Sequence, residues 1–117
     1  MSRSVTELAT DVLRYLNIID AEEDPDATDT DFVSEAYTNK FAELSSEGRK
    51  YTYWKSTEIP EAVFLTVRDL VALEVMAAYG EPISPSDKAA QEEVILKKLR
   101  RHVKTPSSGL PNRAEYF

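Results

Sequence analysis

Apolar side chains recur at helical spacing in four separate stretches of the chain, and the longest of these runs from Pro60 to Tyr79. Pro60 suits a first helical position, where its missing N–H would have no partner and its φ is already helical. Gly80 can adopt the left-handed conformation that closes a helix, and Pro82 prevents continuation. Between these signals Val63, Phe64, Val67, Leu70, Val71, Val75, Met76 and Tyr79 cover most of the circumference. A helix apolar nearly all round is one covered on several sides. Arg68, Asp69 and Glu74 near its middle would be costly in hydrocarbon, so a membrane span is not expected. The pattern predicts the central helix of a soluble bundle.

The other three stretches are amphipathic. Ser4 and Glu7 form a capping-box pattern ahead of Leu8, Val12, Tyr15, Leu16 and Ile19, which predicts a helix over 4–18. Asp20 to Asp31 holds seven acidic residues in twelve, broken by Pro25, and reads as a solvated loop. A second helix, over 29–47, starts at Thr28 or Thr30 with Asp31 near its positive end, and Gly48 stops it. Its stripe is Phe32, Val33, Ala36, Tyr37, Phe41 and Leu44. Arg49 to Lys55 is then a connection carrying Tyr51, Tyr53 and Trp54. Ser84-Pro85-Ser86-Asp87 opens a fourth helix over 85–104, with an apolar face of Ala90, Val94, Leu99 and Val103 beside Ile95 and Leu96. Early Glu92 and Glu93 and the late basic run suit the helix dipole. Thr105 to Phe117 contains Pro106, Gly109 and Pro111 and has no periodicity. The expected fold is therefore all-α: a compact bundle of about four helices over 1–104, followed by an extended C-terminal arm over 105–117.

Charge adds an asymmetry to this picture. The net charge is −7, which argues against a general binder of nucleic acid or anionic membrane. Residues 1–59 carry 13 acidic and 6 basic side chains, whereas residues 60–117 carry 8 of each. The absence of cysteine excludes a disulfide framework, a thiolate nucleophile and a Cys-based zinc site, and it fits a cytoplasmic origin. No basic region followed by an apolar run marks the N-terminus, so no signal peptide is expected.

Candidate chemistry is sparse. Counting Asp24 as the first position of a calcium loop places Asp26, Thr28 and Glu35 suitably. The glycine needed at the sixth position is Asp29, however, and the usually apolar eighth is Asp31. No metal or other cofactor is expected. His102 is the only histidine, there is no glycine-rich phosphate loop, and no nucleophile with a partnering base is apparent, so the chain is not expected to be an enzyme. Lys97, Lys98, Arg100, Arg101 and Lys104 form a basic run that can meet phosphates, with Tyr51, Tyr53 and Trp54 as stacking faces. Basic residues late in a helix are also expected for dipole reasons alone, and the aromatics can equally cover one end of the bundle. Arg68, Asp69 and Glu74 either pair with one another, reach the rim or lie at contacts between subunits.

Several stretches resemble the small helical head-to-tail adaptor (head-completion, or connector) proteins of tailed bacteriophages. They are Ala36-Tyr37-Thr38-Asn39-Lys40 with Glu43-Leu44-Ser45, and Ile59-Pro60-Glu61-Ala62-Val63. Leu70-Val71-Ala72-Leu73-Glu74-Val75 with Ala78-Tyr79-Gly80-Glu81-Pro82 continues the likeness, and Arg113-Ala114-Glu115-Tyr116-Phe117 ends it. The resemblance implies a structural virion protein forming a ring, commonly of twelve subunits, beneath the portal protein. Such a ring extends the DNA channel, contacts packaged DNA non-specifically and offers a platform to a tail or stopper protein. Its place would be the virion neck, between capsid and tail, after synthesis in the host bacterial cytoplasm. The arm would grip the portal through Arg113, Glu115, Tyr116 and Phe117, and Lys97, Lys98, Arg100, Arg101 and Lys104 would face the channel or a neighbouring subunit. The alternative is a small helical binding or regulatory module that contacts nucleic acid through the same basic helix.

Overall fold

The computed structural model describes residues 2–46 and 51–104, with side chains described as far as residue 102. A two-residue strand, β1 (Ser2–Arg3), leads into α1 (Val5–Tyr15) and α2 (Ala27–Ser45). A second short strand, β2 (Ile59–Pro60), runs directly into α3 (Glu61–Val75). A 3₁₀ turn (Met76–Tyr79) follows, and then α4 (Pro85–Lys104). The all-α expectation holds, with one small addition: β1 and β2 pair antiparallel, Ser2 opposite Pro60 and Arg3 opposite Ile59. Two residues are too few to show an alternating pattern, so the sequence gives no sign of this pairing.

The start and stop signals act largely as their chemistry requires. Ser4 Oγ accepts from the Glu7 N–H at 3.1 Å, and Glu7 Oε1 accepts from the Ser4 N–H at 3.0 Å, a complete capping box. These hydrogen bonds, led by the one from the Ser4 backbone, hold the Glu7 carboxyl below its ordinary pKa. At α4, Ser84 Oγ accepts from the Asp87 N–H at 3.2 Å. Gly80 closes the third segment at φ 86°, with the Glu81 N–H reaching Met76 O and the Gly80 N–H reaching Ala77 O. That pair of bonds is a Schellman motif.

Four boundaries differ from expectation: α3 ends at Val75, and the part of the central helix expected to reach residue 79 is the 3₁₀ turn Met76–Tyr79. α1 stops at Tyr15, short of residue 18, because Asn17 takes the left-handed conformation at φ 61°. The Ile18 N–H then bonds Leu13 O and the Asn17 N–H bonds Arg14 O, a second Schellman closure with asparagine in glycine's usual place. α2 starts earlier than Thr28, with Asp26 at the cap making no side-chain cap bond. Pro60 is extended at ψ 145° and caps α3 from outside, because it belongs to β2. The expected stop at Gly48 lies outside the described residues, as do the connection residues Arg49 and Lys50 and the whole of 105–117.

Pairing of β1 with β2 sets the starts of α1 and α3 side by side. The edge-on contact of the Phe32 and Tyr79 rings brings the start of α2 to the far end of α3. Helices α1, α2 and α4 all pack on α3. Val63, Phe64, Val67, Leu70, Val71 and Val75 are buried accordingly, as a central helix requires. Leu65 is the exception on α3 and stands exposed. The apolar face expected of α4 is corrected by the structure. Leu99 is fully buried and Ile95 and Leu96 half-buried, but Ala90 and Val94 are exposed, and the side chain of Val103 lies outside the described residues. α4 packs chiefly against α3, so only a narrow strip of it turns inward.

Phe64 and Leu70 are 1% and 2% exposed, so truncating either to alanine removes packed atoms and leaves a cavity. Each substitution is expected to cost about 2–5 kcal/mol, read from urea titrations of the variants against the parent chain.

Candidate functional site

Where the polar side chains gather, the bundle is held by ionic contacts. On α2, Val33, Tyr37, Lys40 and Leu44 are buried at spacings of four, three and four, so Lys40 shares the inward stripe. Its side chain is 7% exposed, and its ammonium lies 2.9 Å from Glu92 of α4, 3.8 Å from Glu74 of α3 and 3.7 Å from Glu43 of its own helix. Lys88 of α4 adds a contact of 3.3 Å to Glu74. One buried cation therefore joins three helices. Burial works to lower the Lys40 pKa, but the hydrogen bond to Glu92 and the charges of Glu74, Glu92 and Glu43 outweigh it and raise the pKa above its ordinary value. The sequence carried one sign of this hub, since position 40 falls on the same face as Tyr37 and Leu44.

A second ionic cluster ties α1 to α3. Arg68 lies 2.9 Å from Asp69 and 3.5 Å from Asp11, with its guanidinium 4.2 Å from the centre of the Tyr15 ring. Arg68 and Asp69 pair with one another, one of the placements expected of them, whereas Glu74 pairs instead with Lys40 and Lys88.

The aromatics of the connection are structural. Trp54 Nε1 donates to the Tyr37 hydroxyl at 3.2 Å, and that hydroxyl donates to the Ser56 carbonyl at 2.8 Å. Trp54 also meets Phe41 and Tyr53 edge-on, at 5.8 Å and 5.3 Å between ring centres. Half-buried Tyr51, Tyr53 and Trp54 pack against the core and cover one end of the bundle. Burial raises the Tyr37 pKa despite the Trp54 bond. At the other end, the Tyr79 hydroxyl donates to Asp29 at 3.0 Å, and burial together with that carboxylate pushes its pKa up to about 12.

Two surfaces of opposite sign remain. Lys97, Lys98 and Arg100 of α4 are exposed and form no ion pair with any described residue, and Arg101 is exposed beside them. The side chain of Lys104, like Arg113, Glu115, Tyr116 and Phe117, lies outside the described residues. Residues 20–35 carry eight acidic side chains and no basic one. None of the eight is ion-paired with a described residue. Beneath this segment Arg14 donates to the Glu23 carbonyl at 3.3 Å, although its Nε is buried with no partner. An open groove of about 310 Å³ separates α1 from α4, with Tyr15 and Leu16 on one wall, Val94 and Ile95 on the other and Leu73 and Met76 on its floor.

Among the described residues no group of three or more carboxylates and histidines is arranged to hold a metal, and no helix is long and apolar enough to cross a membrane. His102 is half-buried. No family model matches the chain, and neither does any curated protein or solved structure.

Replacing Lys40 by methionine keeps the apolar stem and strands the carboxylates, so it is expected to destabilise the fold by about 2–3 kcal/mol. That is less than the roughly 3–5 kcal/mol of a fully enclosed pair, because water reaches the carboxylates. Lys97→Met at the surface should stay within about 0.5 kcal/mol of the parent. A pKa raised by folding means that the folded state holds the proton more tightly. The Lys40 contribution is therefore complete below the ordinary value of 10.5 and is lost as pH rises through the folded value. The gap between parent and Lys40→Met should narrow in urea titrations taken above that pH.

Proposed function

We propose that this chain is a structural virion protein, a head-to-tail adaptor whose copies form a ring beneath the portal of a tailed bacteriophage. On this reading the ring extends the DNA channel and gives a tail or stopper protein its platform. The observation that carries it is where the adaptor-like stretches fall in the bundle. Tyr37, Lys40 and Leu44 are the inward stripe of α2, Ile59 to Val63 joins β2 to α3, and Leu70 to Val75 is the core of the central helix. Ala78 to Pro82 contains the Gly80 closure. The likeness therefore runs through the joints that give the bundle its shape, in addition to its generic helical surface.

Segment 105–117 is the portal-gripping arm in this reading. Its sequence holds Pro106, Gly109 and Pro111 and carries the aromatic residues Tyr116 and Phe117. Aromatic side chains are favoured anchors for pockets on a partner.

The second reading, a module that binds nucleic acid, is favoured by the exposed cations Lys97, Lys98 and Arg100. Phosphate contacts would make such binding steeply salt-dependent.

Deletion of residues 105–117 should leave the melting temperature of the bundle nearly unchanged and abolish co-sedimentation with portal rings. A truncated chain that unfolds would place the segment in the core. A truncated chain that still joins the portal normally would move the docking surface onto the helices, and salt-sensitive binding of duplex DNA by the isolated protein would favour the second reading.

A further inference from the structure

The groove between α1 and α4 gathers most of the apolar surface that the bundle leaves open. Four large apolar side chains stand exposed among the described residues, and two of them, Tyr15 at 50% and Val94 at 55%, line this groove. Leu65, at 57%, is a third. It precedes Asp69, Leu73 and Met76 by four, eight and eleven residues, so it extends the groove's floor toward the start of α3. A contiguous apolar patch of this kind marks a surface that something covers.

The direction of α4 decides what lies within reach. Lys88 meets Glu74, Val94 and Ile95 line the groove with Leu73 and Met76, and Leu99 lines a small cavity with Val67 and Leu70. α4 therefore runs antiparallel to α3, and its last residues lie at the Leu65 end of the groove. Residue 105 is joined to the chain there. Pro106-Ser107-Ser108-Gly109 is turn-forming chemistry, suited to reversing the chain direction. From Leu65 to Met76 the stripe is roughly 16 Å long, at about 1.5 Å per helical residue. Leu110 and Tyr116 are six residues apart, and extended chain of that length spans roughly 20 Å at about 3.3 Å per residue. The lengths match. Arg113, between them, then passes the Asp11 and Asp69 carboxylates, which share the single Arg68 guanidinium and keep a net negative charge.

We propose that residues 110–117 dock in the α1–α4 groove of their own chain, with Leu110, Tyr116 and Phe117 covering the apolar stripe. Tethering favours this occupant over a separate molecule. A short linker holds the segment at an effective concentration of about millimolar, so a contact too weak between molecules closes within one. Ordering the segment offsets most of the gain, so docking adds little to the stability of the bundle. The docking stands apart from the adaptor reading. Only its consequence rests on that reading: a portal that grips the arm must draw it out of the groove.

Because the chain has no cysteine, a single label can be placed at will. Asn112→Cys in the full chain takes one nitroxide, and methyl NMR signals are compared with the label oxidised and reduced. Signals of Leu73, Met76 and Val94 should lose most of their intensity, and dilution should not change this. The methyl of Ala42 on α2, which lines no part of the groove, should keep its signal. Leu65→Asp with Val94→Asp, both exposed positions, should restore the Leu73 and Met76 signals, and so should Tyr116→Ser with Phe117→Ser. Circular dichroism verifies folding of each variant.

Groove signals untouched by the label overturn the proposal, as do variants that broaden like the parent. Labelled chain mixed with isotope-enriched, unlabelled chain separates one molecule from two. Broadening that passes between molecules makes the occupant a second copy and equally overturns the proposal. Portal rings added to the labelled chain should restore the groove signals. Rings that leave them broadened count against the adaptor reading and leave the docking standing, whereas a groove empty from the outset sinks the docking alone.

Discussion

Because α1, α2 and α4 each lean on α3, the side chains of Val63, Phe64, Val67, Leu70, Val71 and Val75 lose nearly all contact with water. Burial of apolar area is the dominant favourable term in folding, and α3 supplies more buried apolar side chains than any other element. The remaining elements are arranged to serve that burial. The β1–β2 pair aligns the starts of α1 and α3, and Arg3 stacks its guanidinium 4.0 Å from the centre of the Phe64 ring while pairing with Glu7 and Glu61. Schellman closures at Asn17 and Gly80 turn the chain back where α1 and the 3₁₀ turn end.

Helix α4 is attached differently. Among its described side chains one apolar group is fully buried, Leu99, beside half-buried Ile95 and Leu96. Its start is held through Glu92 and Lys88, which reach Lys40 of α2 and Glu74 of α3. A buried cation is costly to desolvate unless its partners are well placed, and three carboxylates within 4 Å offset that cost. Such contacts are directional in a way that apolar burial is not, so the Lys40 hub fixes how α4 lies along the bundle.

Holding α4 by its inner strip leaves most of its surface free, and there the basic residues stand. The proposed adaptor function draws on this arrangement: a bundle held together through α3 and an outer helix on which Lys97, Lys98 and Arg100 stand exposed. The aromatics Tyr51, Tyr53 and Trp54 are not part of this surface, because their rings and the Trp54–Tyr37–Ser56 hydrogen bonds are spent on closing the bundle.

Most of the helical architecture was legible in the sequence because its signals are local. Ser4 with Glu7, Ser84 ahead of Pro85, and Gly80 each act on backbone groups within a few residues, so their chemistry can be read without knowing what lies across the fold. The all-round apolarity of Pro60 to Tyr79 likewise required a helix covered on several sides. Most of the missed features depend on groups distant in sequence: Pro60 serving a strand, and Val94 and Ala90 facing outward, follow from where neighbouring elements lie. The Asn17 closure is local, and it was missed because glycine takes that left-handed position far more often than asparagine. Lys40 shows the division most clearly: its spacing from Tyr37 and Leu44 placed it on the inner face. Only the tertiary structure could decide that Glu74 and Glu92, 34 and 52 residues away, would be there to neutralise it, because desolvation is set by the packing of whole helices and ionic pairing by the few ångströms between their side chains.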